Sequence, residues 1–378
     1  MRDPATIRFG LYLSDLNRDK NDSHGIINYA VGLANALPAA IGSGEQLFIY
    51  ANPAIARELD AQISDQISIQ LTPPPTPVRR LMSDHVLGIR RALQDEVTVL
   101  HFPKGFIPVV APRDMRLVAT LHDDIPLMYA RGDFGKEYAS LKSNYFTFSL
   151  RHTLRRANAL VTVSDTSLGR FRDLAAETSI TMPPSFVSHQ GITLPLGEPI
   201  PVDKKRPVLL HIGSNKPHKR SYEAVQFMLE YARTSDLDLQ LTILGPLTRE
   251  AELLLQKRAA NRIKRTLSGH ELARLISESR ALVFNSEREG FGLPPVEAYA
   301  LGTPAVYART DVMLEVLGNT PGAYPQGDYA GFSKALDQAL SLTTDSLADV
   351  RGEILTQYNW DAVARQTVKA YRQVAAAT

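Results

Sequence analysis

Short apolar runs rich in β-branched and aromatic residues alternate along the chain with segments whose apolar positions recur every three or four residues. The runs are IRFGLYL, QLFIY, VTVLHF, LVATLH and ALVTVS in the first half, then PVLLHIGS, LQLTILG, ALVFNS and PAVYA in the second. Alternation of this kind predicts an α/β fold of parallel strands joined by crossover helices. IINYAVGLANAL predicts an amphipathic helix from Ile26 to Leu37, and NWDAVARQTVKAY, from Asn359 to Tyr371, predicts a last helix. The rhythm breaks over Gly191 to Pro207, where Pro, Gly and charge replace any period, so that stretch reads as a linker between two Rossmann-like halves. The proline-rich segment near residue 75, TPPPTPVRR, reads instead as a stiff surface loop inside the first half.

A chain of 378 residues has room for two domains, each with its own core. No apolar run approaches the roughly 20 residues that span a bilayer, and the first residues, MRDPATIRFGLYLSD, hold no signal-peptide core, so a cytoplasmic protein is expected. With no cysteine, disulfides, thiol catalysis and thiolate metal ligands are excluded. The balance of 20 basic and 20 acidic residues up to residue 200, then 22 and 20 beyond it, gives no basic half of the kind that binds nucleic acid. Local basic clusters do occur at Arg79, Arg80, Arg90 and Arg91, and again at Arg151, Arg155 and Arg156. They read as solvated faces or, alternatively, as a peripheral contact with an anionic membrane surface or a pyrophosphate-bearing acceptor. Tyr138, Tyr145, Phe146 and Phe148 stand just before the second cluster, and their spacing predicts the core face of a helix, with a sugar or lipid contact as the other reading.

The densest candidate chemistry lies between Asn285 and Pro304, NSEREGFGLPPVEAYALGTP. Glu289 precedes the turn Gly290-Phe291-Gly292-Leu293, Pro294 and Pro295 suit the first turn of a helix, and Glu297 follows inside it. Two carboxylates flanking amides at a helix N-terminus suit a ligand with sugar hydroxyls and phosphates, such as a nucleotide sugar. A buried turn with Glu297 capping its helix would use the same residues. Upstream, the strand PVLLHIG runs into Gly213, Ser214, Asn215, Lys216, Pro217, His218, Lys219 and Arg220, and a helix is expected from about Ser221. A strand, a glycine turn, cations and a helix make a phosphate-binding layout in which Lys219 neutralises a diphosphate leaving group, unless these cations only solubilise a loop. In the first half, Asp22-Ser23-His24-Gly25 opens the helix near Ile26, with Asp22 or Ser23 as cap and Gly25 open to a phosphate, while His24 reads as structural. LVATLH ends at His122-Asp123-Asp124, at the carboxyl edge of a parallel sheet where ligands of such folds collect. Ser164, after the strand ALVTV, reads as a helix cap, and neither it nor His101 is assigned chemistry.

From Glu289 to Val306 the chain resembles the EGFGLPxxEAxAxGxPV signature of glycosyltransferase family four, retaining enzymes of GT-B architecture. The Lys219 segment resembles that family's G-x-x-x-x-x-K-N pattern, with Ser214 where many members have arginine and Lys216 as a substitute second cation. Gly25 falls in a GG-I-x-x-Y-like loop with His24 in place of the first glycine, and His122 in a strand-HD-x-x-P element. The resemblance implies two Rossmann-like domains facing across a cleft. Residues 1–195 plus 359–378 would bind acceptor, the last helix crossing back onto them, and residues 196–358 would bind donor. It implies catalytic roles for His122, Lys219 and Glu289, the last on donor-sugar hydroxyls, and places Glu297 on the ribose. Donor contacts would come from Gly25, Gly213, Lys216 and the main chain of Phe291, Gly292 and Leu293. The expected activity is transfer of a hexose-like unit from a UDP- or GDP-sugar to a saccharide or lipid-linked saccharide in surface polysaccharide synthesis, without a metal or other cofactor. A catalytically silent sugar-nucleotide-binding regulator and a GT-B nucleotide-sugar epimerase are the alternatives.

Overall fold

A computed structural model describes residues 6–18, 24–60, 63–73, 88–112, 114–135, 141–256 and 260–377. Asp22, Ser23, Arg79, Arg80, Tyr138 and most of the proline-rich segment lie outside the described residues. The chain forms two compact units, residues 1–191 with 359–378 and residues 192–358.

The first unit is built on a seven-stranded sheet of β1 (Ile7–Leu13), β2 (Glu45–Ala51), β3 (Ile67–Leu71), β4 (Val99–Phe102), β5 (Arg116–Leu121), β6 (Ala159–Thr162) and β7 (Ser185–Val187), in the spatial order β3-β2-β1-β4-β5-β6-β7. Every pairing is parallel. Parallel strands need covered faces, which is why β4 and β6 are buried at every position and read in the sequence as unbroken apolar runs. The closing helix Trp360–Ala376 packs on the helix His24–Ala36. Gly32 makes this approach possible, because a Cβ there would sit 2.2 Å from the Trp360 ring.

The second unit repeats the plan with β8 (Arg206–Ile212), β9 (Gln240–Leu244), β10 (Ala260–Ile263), β11 (Ser279–Phe284), β12 (Ala305–Ala308) and β13 (Ala323–Tyr324), ordered β10-β9-β8-β11-β12-β13 and again parallel throughout. Its core joins Leu209, Ile243 and Val283 of the sheet to Val225 and Met228 of the helix Ser221–Thr234 and to Phe332 and Leu336 of the helix Tyr329–Ser341.

One expectation needs correction. The aromatic segment forms the helix Leu141–Arg156, but Tyr145 and Phe148 are exposed, Phe148 by 57%. At 100° per residue the buried face runs through Leu150, Thr153 and Leu154, with Phe146 packed partly against it, which turns Phe148 to the opposite side. The charged end of the linker holds a buried cation. Lys205 is buried and its ammonium donates to Ser277 O at 2.5 Å and Thr303 Oγ1 at 2.8 Å, and burial lowers its pKa to about 8. Among the described residues no helix is long and apolar enough to cross a membrane.

Candidate functional site

In an open parallel sheet, ligands collect beyond the carboxyl ends of the strands where the order reverses. In the second unit that point lies between β8 and β11, which are neighbours in space and far apart in sequence. The chain leaves β8 through Gly213, makes a 3₁₀ turn at Pro217–Lys219, and enters the helix Ser221–Thr234 at Arg220, whose φ of 44° and ψ of 38° are left-handed. It leaves β11 through Asn285 and reaches Glu289. Lys219 and Glu289, singled out separately from sequence, meet here as an ion pair through Nζ and Oε1. Their side chains keep 30% and 13% exposure, so the pair lies at a surface a ligand can reach. Lys219 Nζ also stands 5.7 Å above the centre of the Phe284 ring.

A second set of contacts, not foreseen from sequence, clips the same two loops together. Arg220 Nη1 donates to Glu287 Oε2 at 3.0 Å, and the guanidinium also pairs with Glu223. Glu287 N donates to His218 O at 2.9 Å. Asn285, fully buried, donates to Arg220 O at 3.3 Å and to Glu223 Oε1 at 3.2 Å, and accepts from the Tyr324 hydroxyl at 2.6 Å. His218 beneath them is held down to about pKa 4, first by burial and then by Lys219, so it is neutral at pH 7. The Lys219 and Glu289 loops are therefore fixed by contacts that do not involve Lys219 or Glu289 themselves.

The remaining donor-side candidates sit on the same two loops and the helix that follows Glu289. Lys216 is exposed on the same turn. Gly213 is explained by packing, since a Cβ there would approach Leu247 to 2.8 Å. Gly292 caps the helix Leu293–Ala300 at φ 89°, where a side chain would be strained and would strike Met313. Phe291 is buried and meets the Tyr358 ring edge to face at 5.2 Å, which anchors the glycine turn. Glu297 lies inside the helix Leu293–Ala300. It is 5% exposed and Oε1 accepts from Thr193 Oγ1 at 2.6 Å and Thr193 N at 3.3 Å. Burial, against these hydrogen bonds, raises its pKa to about 7.

In the first unit the order reverses between β1 and β4. His122 follows β5, and its Nε2 lies 2.8 Å from Pro103 O. Only a protonated nitrogen bonds to a carbonyl, so Nε2 carries the hydrogen. Burial lowers the pKa of this imidazole to about 4, leaving Nδ1 an acceptor at pH 7. The edge of Tyr29 meets the ring at 4.8 Å and 87°. Gly25 is exposed in the first turn of the same helix that carries Tyr29, after half-buried His24, and a Cβ on Gly25 would meet nothing within 4 Å. Asp123 accepts from Ile125 N at 3.0 Å and so orders the start of the next helix. Ser164 caps the helix Asp165–Glu177 through Ser167 N, as its position predicts. His101 is wholly buried between the Tyr371 hydroxyl at 2.7 Å and Thr120 Oγ1 at 2.8 Å.

A largely buried pair that the sequence reading missed lies at this reversal: Lys104 Nζ, just after β4, donates to Asp15 Oδ2, just after β1, at 2.7 Å. Locating the reversal would have found it, since both residues directly follow the two strands that flank it.

The family model for glycosyl transferases group 1 matches residues 197–365, which takes in both the Lys219 and Glu289 loops. Residues 197–365 of this chain thus match the group 1 glycosyltransferases, the family-four type. Over 292 residues it is 24% identical to an MMP α-(1→4)-mannosyltransferase of Mycolicibacterium hassiacum, covering 71% of this chain and 67% of the relative. It is 26% identical over 292 residues to O-antigen chain mannosyltransferase B of Escherichia coli, covering 72% and 74%. The fold is that of sucrose-phosphate synthase from Thermosynechococcus elongatus, with a TM-score of 0.70 at 16% identity over 98% of this chain and 100% of that one. The chain thus has the two-domain α/β architecture known as GT-B.

Proposed function

We propose that the protein is a retaining hexosyltransferase that moves a mannose-like unit from a nucleoside diphosphate sugar to a saccharide or lipid-linked saccharide. The observation that carries this reading is the meeting of Lys219 with Glu289 at the strand-order reversal of the second unit. The pair offers one cation and one anion, and a sugar diphosphate uses both: its phosphates take the ammonium and its sugar hydroxyls the carboxylate. The bond from the anomeric carbon to the β-phosphate oxygen breaks as the acceptor oxygen bonds to the same face, and the hydroxyl proton passes to the departing phosphate. Lys219 and the main-chain N–H groups of Gly292 and Leu293, at the start of the helix Leu293–Ala300, stabilise the charge that develops on that oxygen. On this reading His122 positions the reacting sugar, Gly25 contacts the donor phosphates, and Glu297 holds the ribose.

The choice of mannose rests on the names of the two relatives, and the choice of retention on the family resemblance. Incubation with radiolabelled GDP-mannose, UDP-glucose and UDP-N-acetylglucosamine in the presence of a panel of hexosides and polyprenyl-linked sugars tests the reading, with the anomeric configuration of the product read by NMR. Isomerised donor with no transfer would instead favour an epimerase, and binding without turnover a regulatory protein. Lys219→Ala and Glu289→Ala are each expected to lower turnover by at least about a hundredfold, the scale seen on removing one group that stabilises developing charge. Near-normal turnover by either variant, with the melting temperature preserved, overturns the assignment.

A further inference from the structure

Asp15 and Lys104 keep only 10% and 12% of their side-chain exposure. Taking both charges out of water is costly, and an apolar pair of similar volume usually serves a fold as well or better, so stability does not account for them. Their placement does point to a use. Both leave neighbouring strands at the carboxyl edge, at the reversal point of the first sheet, the position that Lys219 and Glu289 occupy in the second.

The loops that carry the pair are held rigidly. Asn52 Nδ2 donates to Ser14 O at 3.2 Å and Leu16 O at 2.8 Å, bracketing Asp15. Pro103 O accepts from His122, and Gly105 O accepts from Thr153 Oγ1 at 3.2 Å, bracketing Lys104. Gly105 has φ 90° and a Cβ there would stand 2.8 Å from Thr120 O, so the turn after Lys104 admits no other residue without strain. Among the described residues Lys104 has one hydrogen-bond acceptor, Asp15, for its three ammonium hydrogens. A matched cation and anion present a donor beside an acceptor with no net charge. Neighbouring hydroxyls of a sugar complement that arrangement.

We propose that Asp15 and Lys104 form an acceptor-sugar subsite of the first unit, gripping two adjacent hydroxyls of a neutral saccharide. The inference rests on the transferase reading for the word acceptor, but its test does not depend on turnover. Saturation-transfer NMR with methyl α-mannoside and methyl α-glucoside reports saccharide binding directly, and calorimetry with GDP and UDP reports the nucleotide site separately. The double variant Asp15→Leu/Lys104→Met removes both charges without orphaning either and is expected to fold. Saturation transfer to at least one hexoside is expected from the wild type and is expected to vanish in the double variant, while nucleotide affinity is kept. In turnover assays the acceptor KM is expected to rise about tenfold or more, a loss of roughly 1.4 kcal/mol, with the donor KM little changed. If the double variant does not fold, Lys104→Gln, which keeps a hydrogen-bond donor to Asp15, is expected to give the same loss in smaller degree. Equal hexoside binding by wild type and a folded variant, or an acceptor KM within about twofold, overturns the subsite. Hexoside binding that depends on the pair in a protein that transfers nothing would leave the subsite standing and overturn the transferase.

Discussion

Glu297 shows how one carboxylate can report on both folding and binding. Burial lifts its folded pKa from 4.5 to about 7, so between those values the folded chain holds a proton that the unfolded chain has released. The contribution to stability is therefore full below about pH 4.5 and is lost as the pH climbs through 7. Each pH unit of that window is worth about 1.4 kcal/mol. Glu297→Gln is expected to be more stable than wild type at pH 8 and nearly equal at pH 5, measured by urea denaturation. If Glu297 holds ribose hydroxyls, which donate to the ionised form, nucleoside diphosphate affinity should rise with pH through 7 in the wild type and stay flat in Glu297→Gln. Parallel pH profiles for the two proteins would remove Glu297 from the donor site. The motif around this residue is legible in sequence because a turn, a helix start and two acids are encoded within twenty consecutive residues. Its partner is not: Thr193 lies 104 positions away, and Asp15 and Lys104 are 89 apart. Spacing reports only what the local chain brings together.

At the scale of elements, alternating runs predict parallel strands because crossover helices cover both faces of a sheet and remove any polar alternation. That inference holds in both sheets. It fails where a helix is amphipathic on an unexpected side, as in Leu141–Arg156, whose aromatics share no single face although they cluster in sequence. The closing helix shows what apolar periodicity leaves out. Tyr371 is buried on it with its hydroxyl bonded to His101, and burial drives that imidazole down to about pKa 3, so it is neutral and can pair with both Tyr371 and Thr120. Tyr371→Phe keeps the ring against Phe9 at 5.1 Å but leaves one imidazole nitrogen without its partner. The expected cost is about 1–3 kcal/mol to the first unit. Faster amide exchange in the closing helix and in β4, with nucleoside diphosphate affinity unchanged, would register it. Unchanged exchange would show that packing alone fixes this helix.

At the scale of the whole molecule the charge is nearly balanced, at +2, yet the helix Leu141–Arg156 carries Lys142, Arg151, Arg155 and Arg156 and no acid. Arg151 and Arg155 are exposed beside Tyr145 and Phe148. The loop between β4 and β5 adds Val109 and Val110, exposed by 46% and 62%, and Pro108 O of that loop accepts from His152 Nε2 at 3.1 Å. Phe148 in turn stacks on His152 at 6.5 Å. Aromatic and aliphatic side chains flanked by arginine suit the interface of an anionic bilayer, where the rings reach the headgroup boundary and each cation contributes about 1 kcal/mol. If the acceptor is lipid-linked, this face would meet the bilayer that carries it. The protein is expected to float with vesicles containing phosphatidylglycerol at low salt, to bind pure phosphatidylcholine vesicles weakly, and to be released as ionic strength rises. Because the two parts act differently, they separate experimentally. Arg151→Glu/Arg155→Glu should abolish the dependence on anionic lipid, whereas Phe148→Ser/Val110→Ser should lower binding to every vesicle while leaving the salt slope in place. Activity on a soluble hexoside should be untouched by all four substitutions and activity on a polyprenyl-linked one reduced by them. Equal flotation of the wild type and both double variants would return this face to solvent.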